Sequence, residues 1–471
     1  MYDLAVIDGT LVLPHQGLLR AHVGIKDEKI VFLGQDDPSR EAKEIINAQG
    51  RFVFPGLIDP HVHLGNHLPF FQDFKTETKS AAAGGVTCMV TQLKIGLFKN
   101  EYEPYFTIFD QVLGDLKGLS NIDYSFHFHI PHEKYADEVF SYYQQLGIQS
   151  YKFHMGYKPK SIQDDTTYIQ KISPGIDDGA IYSILQKVGR LNPPPLMTVH
   201  CECDEVIKYT TAAAKEAGLN GLSGWDIARP DLAEGIAISR LAALARYTGA
   251  HIYVVHVSSR RGLEIVREEK AKKTPILSET CPHYLWLTTE EKGTLGKVSP
   301  PIRPRENIEP LWEGIKDRTI DCIGTDHGAK YKKTKVNSVW EATLGFPGVE
   351  TMLPLMITGA VRRGIPLERV AEICSFNTSK AFGLYPKKGN ITIGADADLV
   401  IVDLEEKRCI DPAKLHSEAD FTPFEGLEVF GWPLITLLRG RKVFDQGRFM
   451  NEGIGVFIPR FPLKGSTEGK S

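Results

Sequence analysis

The sequence has 471 residues, of which 42% are hydrophobic and 24% charged, the composition of an ordinary globular protein. Its formal net charge is −4, and lysine and arginine are spread along the chain. That distribution excludes the basic surface of a protein that binds nucleic acid or an anionic membrane. No apolar run reaches the ~18 to 20 residues that would span a bilayer.

The amino-terminal residues contain no basic segment followed by the apolar stretch of a signal peptide, so we expect a cytoplasmic location. The sequence has seven cysteines at scattered positions. An odd number without regular spacing fits a reducing compartment better than a disulfide framework. Free thiols are therefore expected.

Both ends of the chain have the pattern of short strands. Near the amino end, apolar runs separated by turn-forming residues predict a small antiparallel sheet, with strands at 4–7, 10–13, 21–25 and 29–32. A second group of strands is predicted near the carboxyl end, at 398–403, 433–439 and 441–444. We expect the two groups to pair into one small β-sandwich domain, formed by residues 1–50 plus 386–458, with 459–471 as a C-terminal tail.

The residues between these ends alternate between apolar strand-like runs and longer helical segments, which is the pattern of βα units. Residues 231–248, for example, have apolar side chains at helical spacing. Eight such strands would close a (β/α)8 TIM-like barrel over residues 51–385. The predicted barrel strands are 51–61, 85–93, 124–130, 149–154, 196–201, 251–257, 276–281 and 320–325.

Histidine, lysine and aspartate occur where the predicted barrel strands end, and active sites of such barrels lie at those ends. His61 and His63 share one face of an extended chain, because side chains alternate along a strand. Each of these residues alone has an ordinary explanation, such as a buried histidine, a surface lysine or a helix-capping aspartate. Their coincidence at five strand ends favours a metal site instead, with candidate ligands His61, His63, Lys152, His200, His256 and Asp326.

Two divalent ions need more ligands than the histidines supply, and Lys152 offers a bridge. Among cations its amine is driven towards the neutral form, which reacts with carbon dioxide to give a carbamate (N6-carboxylysine). The carbamate, Asp326 and a bridging hydroxide would reduce the charge of two such ions from +4 to about +1. Zn²⁺ suits these ligands, and Mn²⁺ or Co²⁺ would fit them as well.

With these residues in place, the sequence resembles the cyclic amidohydrolase branch of the amidohydrolase superfamily, which contains hydantoinases, dihydropyrimidinases, allantoinases and dihydroorotases. The resemblance extends almost from end to end. The matching strings are FPGLIDPHVH at 54–63, AAAGGVT at 81–87, YKF at 151–153 with Tyr157, VHCE at 199–202, HVSS at 256–259, ETCPHYL at 279–285, SPPIR at 299–303, GTDH at 324–327, PGVE at 347–350 and FGLY at 382–385.

The resemblance implies a hydrolase that opens a hydantoin or dihydropyrimidine type of ring by attack of a metal-bridging hydroxide. It implies that one metal is held by His61, His63, Asp326 and carbamylated Lys152, and the other by Lys152, His200 and His256. Asp326 would also be the general base. Tyr157 would donate a hydrogen bond to the developing oxyanion, and the main chain of Ser299 would hold the substrate amide. A homo-oligomer, tetramer or dimer, is also implied.

Three positions depart from the family pattern. Gly65 stands where dihydroorotases carry an arginine that grips a carboxylate, which argues against dihydroorotate. Leu344, at the substrate-binding position that precedes the PGVE string, replaces an asparagine of hydantoinases and cannot hydrogen-bond an imide. His154 stands where hydantoinases often have methionine.

These departures leave other functions open. They include an allantoinase-like enzyme or another amide hydrolase of the same fold, and a non-catalytic dihydropyrimidinase-like interaction protein. Retention of all six ligand positions speaks against the last. Apolar residues after the first two barrel strands could line a pocket for a bulky ring substituent, although ordinary loop packing is the favoured explanation for them: Leu64, Phe70, Phe71, Leu93 and Phe98.

Overall fold

The computed structural model describes residues 1–66, 68–98, 103–156, 175–290 and 293–460. Within these residues the strands form two sheets, one of nine strands and one of eight. None of the helices in the described ranges is long and apolar enough to cross a membrane.

The nine-stranded sheet joins both ends of the chain, as the sequence predicts. In the hydrogen-bonded order of this sheet, the strands at 448–449, 441–445, 428–438 and 399–409 are followed by those at 52–55, 2–13, 17–26 and 29–34. The strand at 42–47 pairs with 2–13 on the side. A separate cluster of buried apolar side chains, including Leu11, Val23 and Leu399, forms its core. Numbered in chain order, its strands are β1 Tyr2–Leu13, β2 Gly17–Lys26, β3 Lys29–Gly34, β4 Ala42–Asn47, β5 Phe52–Pro55, β14 Leu399–Cys409, β15 Glu428–Leu438, β16 Arg441–Asp445 and β17 Arg448–Phe449.

This terminal sheet differs from the prediction in two respects. Strands 4–7 and 10–13 are one strand, β1, because Asp8-Gly9 forms a bulge rather than a turn. The register shifts between Val6 and Gly9, and Asp8 has a left-handed φ of 51°. The sheet is also mixed rather than antiparallel, since β4 and β5 both run parallel to β1 after crossing back over the hairpin of β2 and β3.

The eight-stranded sheet is the barrel. Its strands are hydrogen-bonded in chain order, and each is parallel to the next. The first and last strands meet where Val62 bridges His327 in parallel and the His63 amide donates to the His327 carbonyl at 2.8 Å. The strands are β6 Leu57–Val62, β7 Val86–Leu93, β8 Asp123–His129, β9 Ser150–His154, β10 Leu196–His200, β11 His251–Val254, β12 Ile276–Thr280 and β13 Cys322–Ile323.

Helices alternate with these strands, which confirms the predicted TIM-like architecture. The helix predicted at 231–248 has those same ends. Strands buried on both faces, as β6 to β10 are, need such a cover of helices. The described α-helices are Phe70–Ala83, Phe109–Leu116, Val139–Gln145, Asp178–Val188, Asp204–Glu216, Gly221–Ala228, Asp231–Thr248, Arg260–Ala271, Pro282–Trp286, Ile308–Lys316, Met352–Arg362, Leu367–Ala371 and Asn377–Ala381.

The prediction of a single barrel strand over 51–61 is wrong. Phe52–Pro55 (β5) pairs with β1 and β14 in the terminal sheet, and the barrel begins only at Leu57–Val62 (β6). The chain changes sheets at Gly56, where a Cβ atom would lie 2.2 Å from Thr87 Oγ1. Only glycine permits that close approach. The predicted domain boundaries themselves stay a prediction.

Candidate metal centre

The predicted ligands meet at one end of the barrel because the strands are parallel and each ligand lies at a strand's carboxyl end. His61 and His63 are at the end of β6, Lys152 is in β9 and His200 ends β10. His256 and Asp326 follow β11 and β13. All six line a single cavity, together with His154, Ser299, Leu344, Asn66, Lys94, Val298, Gly328, Lys330 and Gly345.

His61, His63 and Asp326 form the tightest group. One ligand atom from each residue lies within 4.8 Å of the others. Oδ1 of Asp326 is 2.8 Å from Nε2 of His63 and 3.3 Å from Nε2 of His61. Imidazole nitrogen and carboxylate oxygen are donors that zinc-like ions prefer, so this trio fits a divalent metal.

The ionisation states of this trio also suit a metal. Burial lowers the pKa of His61 and of His63 to about 3, which leaves both imidazoles neutral and able to coordinate. Burial alone would raise the pKa of Asp326. The neighbouring His61 and the hydrogen bond from His63 outweigh it and hold that pKa well below its usual range, so the carboxylate is charged.

His200 and His256 form a second pair, with Nδ1 of His200 2.9 Å from Nε2 of His256. The other nitrogen of His200 is engaged by Glu202 at 2.8 Å. Glu202 in turn accepts two hydrogen bonds from the buried Arg229. This chain of contacts orients the His200 ring so that Nδ1 faces His256, and a carboxylate that contacts the far nitrogen of a metal-binding histidine commonly fixes the ring in this way.

Lys152 lies in the same cavity and is 3% exposed. Its Nζ atom has no hydrogen-bond partner among the residues that the structure describes. Burial lowers the pKa of this amine to about 8. A buried amine without a partner is costly, and the cost disappears if the amine carries a group that binds metal. The residues present therefore fit a binuclear centre.

Two of the six residues have strained backbones. His256 has φ 44° and Asp326 has φ 51°, both in the left-handed region that residues other than glycine rarely adopt. Both lie at the first turn after a barrel strand. Such strain persists only where surrounding structure imposes it, and it is typical of functional sites.

Comparison with known proteins agrees with this geometry. A profile described as "Amidohydrolase family" matches residues 196–443. The chain is 30% identical over 476 residues to an L-hydantoinase of Paenarthrobacter aurescens, with 98% of each chain covered. The chain belongs to the amidohydrolase family. This confirms the family that the sequence motifs indicate.

Other relatives of this amidohydrolase cover nearly all of its length. A D-hydantoinase of Geobacillus stearothermophilus is 33% identical over 472 residues, which cover 96% of this chain and 95% of the relative. The crystal structure of the dihydropyrimidinase from Brevibacillus agri matches with a TM-score of 0.87 and 30% identity, covering 97% of this chain and 98% of that one. The barrel and the terminal sheet are thus both shared with these proteins.

The predicted substrate-contacting residues of this amidohydrolase lie in the same cavity, with one exception. Ser299 and Leu344 both line it, and the Ser299 hydroxyl has no hydrogen-bond partner within the described ranges. His154 is buried there as well. Tyr157 lies outside the described residues, so its predicted role stays a prediction. The apolar residues considered for a pocket pack against the barrel core and do not line the cavity.

Glu279 is a functional candidate that the sequence analysis did not single out. It lies in β12, fully buried, and its Oε1 atom is 2.7 Å from Nδ1 of His61. It also accepts hydrogen bonds from the Tyr253 hydroxyl and the His256 amide. Burial raises its pKa to about 8. Its position at a strand end, first in the string ETCPHYL, was the available signal.

Lys94 and Lys330 are the other cavity residues that sequence reasoning missed. Lys94 directly follows β7 and is 3% exposed, and its Nζ donates to Asn66 Oδ1 at 3.0 Å. Lys330 follows Asp326 by four residues and packs beside Gly345. A lysine just after an apolar run resembles an ordinary surface lysine in sequence, which is why neither was identified.

Proposed function

We propose that this amidohydrolase hydrolyses the ring of a cyclic amide or ureide of the hydantoin or dihydropyrimidine type. The observation that carries the proposal is the convergence of the six candidate ligands from five barrel strands on one cavity, with His61, His63 and Asp326 grouped as a metal would need. The names of its full-length relatives, hydantoinases and a dihydropyrimidinase, support the same class of substrate.

Two divalent ions, with Zn²⁺ as the first choice, are proposed for the site. His61, His63 and Asp326 would hold one ion, and His200 and His256 the other. Lys152, as its carbamate, would be shared by both. When bound, the ions would supply a water molecule of lowered pKa and would polarise the ring carbonyl.

The chain's own groups would then manage protons and orientation. Asp326 would accept a proton from the water that adds to the ring carbonyl and deliver it to the ring nitrogen as the C–N bond breaks. The Tyr157 hydroxyl would donate to the developing oxyanion, and the main chain of Ser299 would hold the ring amide. Glu279 and Glu202 would keep His61 and His200 in their ligating orientations.

A different amide substrate is the second candidate, and Leu344 is the observation that favours it. Its side chain lines the cavity and has no hydrogen-bonding atom. A ring that needs a side-chain amide at that point would be bound poorly. An allantoinase-like reaction or hydrolysis of another amide of similar size is compatible with this wall of the cavity.

The test is ring opening, followed by ultraviolet absorbance, on hydantoin, 5-substituted hydantoins, dihydrouracil, allantoin and cyclic imides. The protein is prepared with divalent metal and bicarbonate, and a chelated sample is the control. We expect turnover of at least one cyclic amide class that the chelator abolishes. Ring opening of allantoin alone would favour the second candidate, and absence of any ring opening, in protein with two bound metals, would contradict the proposal and leave only another amide as substrate.

A further inference from the structure

Two lysines in the cavity have no role in the proposed ring opening. Lys94, after β7, and Lys330, after β13, both line the cavity that contains the candidate ligands. Lys94 is 3% exposed and Lys330 is half-buried, and a lysine as buried as Lys94 is seldom found without an acidic partner. We therefore ask which kind of ligand would explain two lysines in this cavity.

Neither lysine forms an ion pair with any residue that the structure describes. The Nζ atom of Lys94 donates a hydrogen bond to Asn66 Oδ1. Lys330 is influenced by the charge of Asp73, but the two do not form an ion pair. Asp73 accepts a hydrogen bond from the Gly65 amide, and burial raises its pKa to about 7, so it is a weak counterion.

The charge of the cavity is strongly unbalanced. Among its described lining residues there is one carboxylate, Asp326, against three lysines, Lys94, Lys152 and Lys330. Converting Lys152 to a carbamate changes its charge from +1 to −1, but the proposed centre with two divalent ions, Asp326 and a hydroxide would still carry a net charge of about +1. Burial and, to a smaller extent, the charges of Lys330 and Lys152 lower the pKa of Lys94 to about 7, and an anion bound beside Lys94 would raise that pKa again.

We infer that the substrate is an anionic cyclic amide or ureide, one whose ring carries a carboxylate that Lys94 and Lys330 bind. This inference rests on the proposed function and narrows its substrate class. Asn66 completes the subsite. Its Oδ1 atom accepts from Lys94, and its Nδ2 atom has no acceptor among the described residues, which leaves it available to a carboxylate oxygen.

The position of this subsite explains how a carboxylate could be bound without the arginine that dihydroorotases use. Gly65 has φ 76°, and a Cβ atom there would lie 3.0 Å from Phe70, so a large side chain at that position is disfavoured. The cations come instead from the ends of β7 and β13. Gly65 alone, which argues against dihydroorotate because it lacks the arginine, leaves this second source of positive charge out of account.

The first experiment compares substrates that differ by one charge. Values of kcat/KM are measured for dihydroorotate against dihydrouracil, and for hydantoin-5-acetate against its neutral amide. In the wild-type protein we expect the carboxylate to raise kcat/KM by at least about tenfold in one pair. Lys94→Met and Lys330→Met should each reduce that ratio by about tenfold. Lys94→Arg and Lys330→Arg should restore part of it.

The exposed Lys208 on the helix Asp204–Glu216 provides the matched control, because Lys208→Met removes the same charge far from the cavity lining. It should leave the ratio as in the wild type. Equal ratios in wild type, Lys94→Met and Lys330→Met, with neutral substrates opened normally, would overturn the inference while the proposed function stands.

A second measurement does not depend on turnover. Binding of N-carbamoyl-aspartate, the ring-opened product of both carboxylated substrates, is measured by isothermal titration calorimetry in wild-type and variant protein. Circular dichroism checks that each variant is folded. We expect the Kd to rise by about tenfold in Lys94→Met and in Lys330→Met. An unchanged Kd would overturn the inference, whereas failure of the proposed function would appear as absence of ring opening for every substrate.

Discussion

The two ends of the barrel strands differ in whether their lysines form ion pairs. At the amino ends, Lys388 lies 2.7 Å from Asp123, 3.1 Å from Asp396 and 2.6 Å from Asp398. Arg439 makes a further ion pair with Asp123. At the carboxyl ends, lysines line the cavity without ion pairs in the described part of the chain.

A single strand contains both situations. β8 begins at Asp123, in the paired cluster, and ends at His129, whose Nε2 atom is buried without a hydrogen bond to the described residues. The paired charges around Lys388 hold the barrel to the terminal sheet, whereas the lysines that line the cavity have no acidic partner among the described residues and are available to a ligand. Buried charged residues occur at both ends of the strands, so burial does not distinguish them. The pairing of those charges does: the amino ends form the structural end of the barrel, and the carboxyl ends form its functional end.

The largest effect should follow a change at the functional end. Lys152→Ala removes the proposed bridge between the metal sites, so we expect ring opening to fall by at least about 10³-fold, about 4 kcal/mol of transition-state stabilisation. Metal content, measured by mass spectrometry, should fall below two ions per chain. Since the variant also loses a buried amine without a partner among the described residues, its thermal unfolding midpoint in metal-free protein should not fall below that of the metal-free wild type. Full activity with two metals would contradict the carbamate bridge.

At the structural end, a substitution should reduce the stability of the fold. Lys388→Met leaves three buried aspartates without their common cation, so we expect the free energy of unfolding to fall by about 3–5 kcal/mol. Chemical denaturation measures the change. The control is Lys43→Met, which breaks the exposed ion pair with Asp3 and should leave the free energy of unfolding almost unchanged. Similar losses in both variants would remove the distinction between the two ends.

A smaller effect is expected where a carboxylate orients a ligand. Glu279→Gln keeps the shape of the side chain but weakens its hold on His61 Nδ1. We expect metal affinity to fall by about 10- to 100-fold, because outer contacts of metal-binding histidines contribute that much. Competition with a chromophoric chelator measures the affinity. A variant that binds metal as tightly as the wild type would restrict Glu279 to a packing role.

The smallest effect concerns a partly exposed ion pair that lies at neither end. His416 contacts Glu350 at 2.8 Å, and this hydrogen bond raises the pKa of His416. A raised histidine pKa stabilises the fold below the unfolded-state value and loses that stabilisation as pH rises through the folded-state pKa. His416→Gln should therefore destabilise more at pH 6 than at pH 8, by less than about 1 kcal/mol. Thermal unfolding at the two values checks the sign.

Sequence predicted the barrel well because its strands are buried on both faces and appear as continuous apolar runs. For the same reason the sequence did not show the break at Gly56, where one continuous apolar run contributes Phe52–Pro55 to the terminal sheet and Leu57–Val62 to the barrel. Candidate ligands were found because histidine and lysine are rare at strand ends and their order matches a known family. Lys94 was missed because its environment is created by residues distant in sequence, such as Asn66 and Lys330.

The measurement that most directly tests the central claim is removal and return of metal on the wild-type protein. Ring opening and metal content are followed after chelation and after addition of Zn²⁺ with and without bicarbonate. We predict that activity disappears with the metals and returns fully only with both Zn²⁺ and bicarbonate, which regenerates the carbamate on Lys152. Ring opening that persists undiminished in metal-free protein would contradict the account.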